Sequence, residues 1–423
     1  MSKKGRISCH ASCPPETIEL VKQSVPALEA HGSDITKAMY ARLFRDEHIK
    51  SLFNHANQGE GGSQVHALAA AILGYAKNIE NLSALGPVIE RIAHKHIGYH
   101  ILPEHYPYVA EALLAAIQDI LGDAATPALL NAWGEAYWFL ADILKERESD
   151  LRADIESRSG GWNGWRRFTI AEKIRESDVV TSFILRPSDG GRVIRHRPGQ
   201  YLTFRLPLSD RSLVKRNYSI SCGPNDEYYR ISVKREAAGQ GGSLYFHDHA
   251  NVGSEIEVTP PAGDFFLPEE PNAPVVLVSG GVGLTPMVSM LEAIAKDYPD
   301  LEAHFIHGAL NSNTHAMDKH VRSLASAHDR VTVKTFYSNP AANDAAGLSH
   351  DHDGFITVDW LRSQTPFETS HFYLCGPKSF LRALVPALSK AGVSPDRVHF
   401  EFFGPADGCS SPDISMQSLS QRR

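Results

Sequence analysis

Arg216-Asn217-Tyr218-Ser219 follows the strand-like run Tyr201-Leu202-Thr203-Phe204-Arg205-Leu206, which is introduced by Pro198-Gly199-Gln200. An extended segment sends alternate side chains to opposite faces, so Arg216 and Tyr218 share one. A guanidinium can hold a phosphate there as a forked donor. The Tyr218 ring can stack on a flat ring, and the Ser219 hydroxyl can reach a ring nitrogen. The same four residues also suit a plain strand with an exposed Arg and a half-buried Tyr. What flanks them decides between the two readings.

The flanks are β-rich. Residues 168–170, 179–185, 200–206, 228–234 and 255–259 read as short strands between turns, the pattern of a small antiparallel barrel. In 228–234, Tyr229, Ile231 and Val233 form an apolar face while Arg230, Ser232 and Lys234 face out. The segment Ser157-Arg158-Ser159-Gly160-Gly161-Trp162-Asn163-Gly164 reads as a linker. Before it the period is helical. In residues 105–121, Val109, Leu113, Ile117, Ile120 and Leu121 mark one helix face. In 131–151, Trp133, Tyr137, Leu140, Leu144 and Leu151 mark another. Leu85, Val88, Ile92 and His96 fall on one stripe of a helix expected to end before Gly98. Tyr40 and Gln64 also sit among apolar helical neighbours, and Phe53 begins a polar, Gly-rich connection.

After the barrel, Pro274-Val275-Val276-Leu277-Val278-Ser279 is a short apolar run of the kind buried in a parallel sheet. Gly280-Gly281-Val282-Gly283-Leu284-Thr285-Pro286 follows at once, then an amphipathic segment over 287–295. Strand, glycine turn and helix start together cradle a pyrophosphate. Pro286 takes the third glycine place of the usual motif, and Pro suits a first helical turn. Strand and helix alternate onward through 304–308, 331–336 and 371–374.

The chain has 423 residues, 42% hydrophobic and 22% charged, with net charge −7. That is enough for two or three globular domains. No long basic run favours nucleic acid. No apolar run approaches the about 18 residues of a membrane span, and the N-terminus lacks a secretory core. Five dispersed cysteines, Cys9, Cys13, Cys222, Cys375 and Cys409, fit free thiols in a reducing cytosol. A cytoplasmic, monomeric protein is expected.

Two stretches, Glu90-Arg91-Ile92-Ala93-His94-Lys95-His96 and Ser51-Leu52-Phe53-Asn54-His55-Ala56-Asn57-Gln58, together with Trp133-Gly134-Glu135-Ala136-Tyr137, resemble the globin domain of flavohaemoglobins. The resemblance implies haem b with His96 as its metal ligand. Tyr40 and Gln64 would stand on the opposite side, Phe53 against the porphyrin, and Leu68 beside the bound gas. One imidazole leaves the sixth iron position for O2. In that family a Tyr and a Glu hydrogen-bond around the ligating His. The matching positions are Tyr106 and, counting along Arg147-Glu148-Ser149-Asp150, Asp150. The shorter acid departs from the family Glu. Either Asp150 reaches by a small backbone shift, or Glu148 substitutes, or the link weakens.

Arg197-Pro198-Gly199-Gln200-Tyr201 and Arg216-Asn217-Tyr218-Ser219 resemble the FAD-binding barrel of the ferredoxin-reductase superfamily. This implies that Tyr201, Arg216, Asn217, Tyr218 and Ser219 contact FAD, with Ser243, in the stretch Gly239 to Ser243, at a helix start facing the pyrophosphate. Tyr373-Leu374-Cys375-Gly376-Pro377 resembles the turn that this superfamily places beside the nicotinamide. Phe400-Glu401-Phe402-Phe403-Gly404-Pro405 resembles its terminal strand, whose aromatic lies over the flavin. Glu401 and Lys95 match positions between flavin and haem. No base flanks Cys375, so it is not expected to be a nucleophile.

The expected architecture is therefore multidomain. It has an all-α globin domain over 15–156, an antiparallel β-barrel FAD domain over 163–268 and an α/β parallel-sheet NAD(P) domain over 273–405. A Ser-rich tail over 406–423 is expected to be disordered. The resemblance covers about residues 15 to 405 and implies nitric oxide dioxygenase activity, with NAD(P)H, O2 and nitric oxide as small-molecule partners. Two other classes share these modules: a haem-based sensor of O2 or nitric oxide with an auxiliary reductase, and a general NAD(P)H-flavin reductase. The sequence leaves NADH against NADPH open.

Overall fold

A computed structural model describes residues 13–53, 63–81, 85–207, 213–237, 239 and 241–403, with the side chains of Ser63 and Gln64 outside the described set. The expected roles of Gln64, Gly404, Pro405, Cys9, Cys409 and the tail 406–423 therefore lie outside the described residues. The chain divides into two compact units, residues up to Asp154 and from Ile155 onward.

The first unit is helical. Its helices are α1 (Pro15–Gln23), α2 (Val25–Leu43), α3 (Glu47–Ser51), α4 (Ser63–Asn78), α5 (Gly86–Tyr99), α6 (Tyr106–Leu121) and α7 (Pro127–Ser157). α1, α2, α5 and α6 each carry a proline in the first turn, where its missing N–H costs nothing and its φ is already helical. Asp46 caps α3 by accepting from His48 N at 2.9 Å and Ile49 N at 3.1 Å. The core joins Ile35, Met39, Tyr40, Ile89, Leu113, Ile117 and Trp133. Buried polar groups are paired within it: Trp133 Nε1 donates to Ser24 Oγ at 3.2 Å, and Tyr75 OH to the Ala136 carbonyl at 2.7 Å.

α5 does not stop before Gly98. It runs to Tyr99, and His100 terminates it in the left-handed region at φ 55°. His100 N donates to Ile97 O at 3.1 Å and Ile101 N to His96 O at 2.8 Å, a paired cap that satisfies the last carbonyls. Gly98 stays inside as a buried helical residue.

The second unit holds two sheets. The first comprises β1 (Arg166–Arg175), β2 (Val180–Pro187), β3 (Tyr201–Pro207), β4 (Leu213–Ser219), β5 (Tyr229–Lys234) and β6 (Glu255–Val258), antiparallel in the order β4-β3-β6-β1-β2-β5. Its two outermost strands meet: Ile220 bridges Ile231, and Ser221 N donates to Arg230 O at 2.7 Å. This contact closes the sheet into the expected barrel. Phe168, Phe183, Leu185, Leu202, Phe204, Tyr229 and Ile231 fill it, and α8 (Gly242–Asp248) buries Phe246 against Phe183 and Phe204.

The second sheet is parallel, with β7 (Val275–Gly280), β8 (Ala303–Ala309), β9 (Val331–Tyr337), β10 (His352–Asp353), β11 (His371–Cys375) and β12 (Val398–Glu401) in the order β10-β9-β8-β7-β11-β12. Its helices are α9 (Leu284–Asp297), α10 (Asp318–Ser326), α11 (Val358–Gln364) and α12 (Lys378–Lys390). The chain winds outward from β7 to β10, then restarts on the other side with β11. The crevice between β7 and β11 is thus a topological switch point. α9 is more buried than an amphipathic surface helix, with Leu284 to Leu291 all inside. Its Glu292 accepts from Arg230 NH2 at 2.6 Å, Gly223 N at 2.6 Å and His320 Nε2 at 2.7 Å. That acid ties β5 of the barrel to the parallel sheet. Among the described residues no helix is long and apolar enough to cross a membrane.

Desolvation holds four histidines of this unit neutral. Burial pushes His196 and His399 down to about 4 and lowers His307 and His315 as well. Each stays neutral in the fold, while its unfolded counterpart takes a proton below about pH 6.5. Acid therefore favours the unfolded chain. Stability should be complete above about pH 6.5 and fall by roughly 1.4 kcal/mol per pH unit for each such histidine as pH drops toward 4. Urea unfolding followed at pH 7, 6, 5 and 4.5 checks this, and a flat profile would contradict it.

Candidate functional site

In the first unit His96 lies one turn from the end of α5. Its Nδ1 is 2.7 Å from Glu148 Oε1 and 3.1 Å from Tyr106 OH. Tyr106 OH donates to the same Glu148 oxygen at 2.6 Å. Arg152 stands 3.5 Å from the other oxygen, Oε2. A carboxylate only accepts, so Nδ1 carries the imidazole proton and donates it. The lone pair is left on Nε2, which has no hydrogen-bond partner among the described residues. A histidine whose far nitrogen is held by a carboxylate is the arrangement of a metal ligand, so these residues fit a haem iron. Burial first, then Glu148, pushes the Tyr106 phenol well above its ordinary range, keeping it a donor.

Glu148, and not Asp150, is the acid here. Glu148 is fully buried while Asp150 is exposed. The reason is helical phase. Leu144, Glu148 and Leu151 recur at the spacing of one α7 face, and Asp150 points away from it. That stripe was readable in the sequence, since a lone acid in an apolar row signals a buried partner.

Tyr40, on α2, stacks on Phe44 at 5.3 Å and meets Phe53 edge-on at 5.7 Å. It is 7% exposed, and burial pushes its phenol up to about 12. It therefore remains a hydrogen-bond donor at any physiological pH. Leu68 and Phe53 border the same core as Tyr40. Lys95 is exposed on α5.

In the barrel, β3 and β4 pair Tyr201 with Ser219, Leu202 with Tyr218, Thr203 with Asn217 and Phe204 with Arg216. Arg216 and Tyr218 share one face, as expected, and both press on the start of α8. A Cβ added to Gly242 would lie 2.7 Å from Arg216 Cγ and 2.9 Å from Tyr218 OH. Only glycine lets the helix start come that close, which fits an Arg and backbone N–H groups converging on a phosphate. Ser219 turns to the opposite face with Tyr201, whose ring packs on Gly263. Ser243 Oγ accepts from Glu236 N at 3.2 Å, and Asn217 is exposed.

At the switch point the two glycine turns touch. A Cβ on Gly283 would fall 2.2 Å from the Cys375 carbonyl, and one on Gly376 3.2 Å from Gly280 N. Of the expected turn, Gly281 and Val282 keep exposure, while Leu284, Thr285 and Pro286 are buried. The Thr285 hydroxyl is spent on Val282 O at 3.1 Å. Cys375 is fully buried, and burial, then Glu401, raises its thiol well above the ordinary value. Both features keep the thiol protonated. Pro377 precedes α12, Glu401 ends β12 opposite Cys375, Phe402 packs beneath, and Phe403 is 43% exposed.

Residues 37–144 match the globin family, 167–267 an oxidoreductase FAD-binding domain, and 277–385 an oxidoreductase NAD-binding domain. These modules define the class, a haem globin joined to an FAD- and NAD-binding oxidoreductase. The chain is 56% identical to a flavohemoprotein of Xylella fastidiosa, over 94% of this chain and 98% of the relative. It is 42% identical to one of Bacillus cereus, over 92% and 98%. The chain belongs to the flavohemoprotein family. A flavohemoglobin of Malassezia yamatoensis, crystallised with FAD and heme, shares the fold at TM-score 0.83 and 24% identity, over 93% of this chain and 100% of that one. The FAD/NAD-binding part of a Vibrio cholerae nitric oxide dioxygenase matches 57% of this chain and 99% of its own, at TM-score 0.52 and 35% identity.

Glu148→Gln, which removes the charge behind His96, is expected to weaken haem retention by about 10- to 100-fold. It should also raise the haem reduction potential. Asp150→Asn should change neither. Haem titration and potentiometry on both variants separate the two acids, and the reverse ranking would refute the assignment.

Proposed function

We propose that this chain is an NAD(P)H-dependent nitric oxide dioxygenase, oxidising nitric oxide to nitrate with O2 at a haem that receives electrons through FAD. The observation that carries the reading is the His96–Glu148–Tyr106 arrangement on one chain with an FAD- and NAD-binding module. The Vibrio cholerae match is to part of a nitric oxide dioxygenase, which supports the same reaction. The electron count is consistent: each nitric oxide and O2 need one electron to become nitrate. One hydride thus serves two turnovers, and a flavin is what divides a two-electron donor into single electrons.

The side chains have distinct tasks in this reading. Glu148 takes the Nδ1 proton's hydrogen bond, orients His96 and enriches it in electron density. Tyr40, a protonated phenol, offers a hydrogen bond on the gas-binding side, with Gln64 as its companion there. Arg216 and the start of α8 neutralise the FAD phosphates. Tyr218, Tyr201 and Ser219 position the flavin ring. The Gly281–Val282 backbone and the Cys375–Pro377 turn seat the dinucleotide.

Purified protein reduced with NADH under air should consume added nitric oxide and release nitrate one for one; no consumption would end the reading. His96→Ala should lose haem, and with it nitric oxide consumption, while retaining FAD. An absorbance spectrum with the Soret band intact would contradict this. Ser219→Ala should slow flavin reduction, whereas Tyr40→Phe should leave it unchanged and speed O2 release. Stopped-flow traces with the opposite pattern would count against both roles.

A further inference from the structure

Glu148 and Arg152 stand one helical turn apart on α7, the acid first, which is the favourable order for a helical pair. On a solvated face such a pair contributes little. This one is enclosed: the Glu148 side chain is 0% exposed and that of Arg152 14%. The two oxygens of Glu148 are unequally served. Oε1 receives both the His96 Nδ1 proton and the Tyr106 hydroxyl. Oε2 has Arg152 at 3.5 Å and no other donor among the described residues. A buried carboxylate with one bare oxygen is costly, and the guanidinium completes its surroundings.

The same Arg152 nitrogen donates to the Ile101 carbonyl. Ile101 follows the left-handed His100 that ends α5, and its own N–H donates to His96 O at 2.8 Å. The contacts close a circuit. They run from the His96 ring to Glu148, on to Arg152, to Ile101 and back to the His96 main chain. Side chain and backbone of His96 are thus both fixed through one guanidinium. The geometry gives Arg152 a task that Tyr106 cannot perform. Tyr106 and His96 meet the same oxygen, so together they leave the carboxylate free to pivot about it. A contact on the second oxygen stops that rotation. The carboxylate behind an imidazole orients the ring only as firmly as it is itself held.

We propose that Arg152 is a positioning residue for the haem ligand: by anchoring Glu148 Oε2 to the Ile101 carbonyl it locks the carboxylate plane, and with it the His96 ring and the direction of its Nε2 lone pair. This rests on His96 holding the haem iron and is independent of the reaction that a bound gas undergoes.

The test uses the full-length holoenzyme with haem and FAD bound. Resonance Raman of the ferrous, gas-free haem reads the iron–histidine stretch, and transfer of haem to apomyoglobin reads retention. Arg152→Met, of similar length but without a donor, should lower and broaden the stretching band and speed haem loss about tenfold, the low end for loss of a group behind a ligand. Because Arg152 acts through Glu148, adding Arg152→Met to Glu148→Gln should move the band no further than Glu148→Gln alone. The double variant removes both charges together, so it should fold even if Arg152→Met, which strands a buried carboxylate, does not; its comparison with Glu148→Gln then decides. A parent-like band in Arg152→Met, or shifts that add in the double variant, would overturn the proposal. A parent with no iron–histidine band would remove the ligand assignment and this role with it, whereas lost nitric oxide consumption with the band intact touches only the reaction.

Discussion

Glu148 is a carboxylate with no exposure to water. An ion buried without partners is strongly destabilising, so the fold has to surround it with donors. It receives the His96 Nδ1 proton and the Tyr106 hydroxyl on one oxygen and faces Arg152 on the other. That requirement draws α5, α6 and α7 together at one point and fixes which nitrogen of His96 is free. Tyr106 is itself tethered, because Tyr137 OH donates to its carbonyl at 2.7 Å. The His96 carbonyl is tied off by Ile101 N. The ligand's orientation is thus set by the need to satisfy a buried charge, and the same contacts give it an electron-rich character suited to binding a gas on reduced iron.

The reductase unit solves a different problem, which is bringing remote backbone segments close enough to grip a dinucleotide. Gly283 and Gly376 come from turns far apart in sequence, and both lack the Cβ that would collide with the opposite turn. The strand order β8-β7-β11 leaves β11 as the other neighbour of β7, so the two turns meet at the switch point. The barrel is held to this sheet by an acid as well, here a half-buried one. Glu292 gathers Arg230, Gly223 and His320, and a neighbouring ladder joins His196, Ser289 and the Cys222 carbonyl. In each unit one glutamate, fully buried in the first and half-buried in the second, organises elements from distant parts of the chain.

Much of this was legible in residues. The change from period 3.6 to period 2 after the Gly-rich linker marked the all-α to all-β transition. The run Val275 to Ser279, followed by Gly280-Gly281-Val282-Gly283, identified a parallel strand and a phosphate-type turn. His96 stood out as the one histidine on the stripe Leu85, Val88 and Ile92. The misses have physical causes. Placing Asp150 at the family position, with Glu148 as an alternative, came from counting along a motif instead of following the α7 stripe. Ending α5 before Gly98 assumed that glycine stops a helix, whereas His100 takes the left-handed conformation that glycine usually supplies. That the side chains of Leu284, Thr285 and Pro286 pack inward at the start of α9 could not be read from the motif alone.

By itself the amino-acid order determined the succession of modules, the kind of each secondary element, and the residue types able to hold a haem, a flavin and a dinucleotide. These depend on periodicity, glycine placement and side-chain chemistry, which act over a few residues. Tertiary structure alone decided which acid faces His96, that Ile220 and Ile231 close the barrel, and that the Gly280 and Gly376 turns abut. Those outcomes depend on helix rotation, strand order and crossover handedness, where small angular differences move a side chain from one neighbour to another.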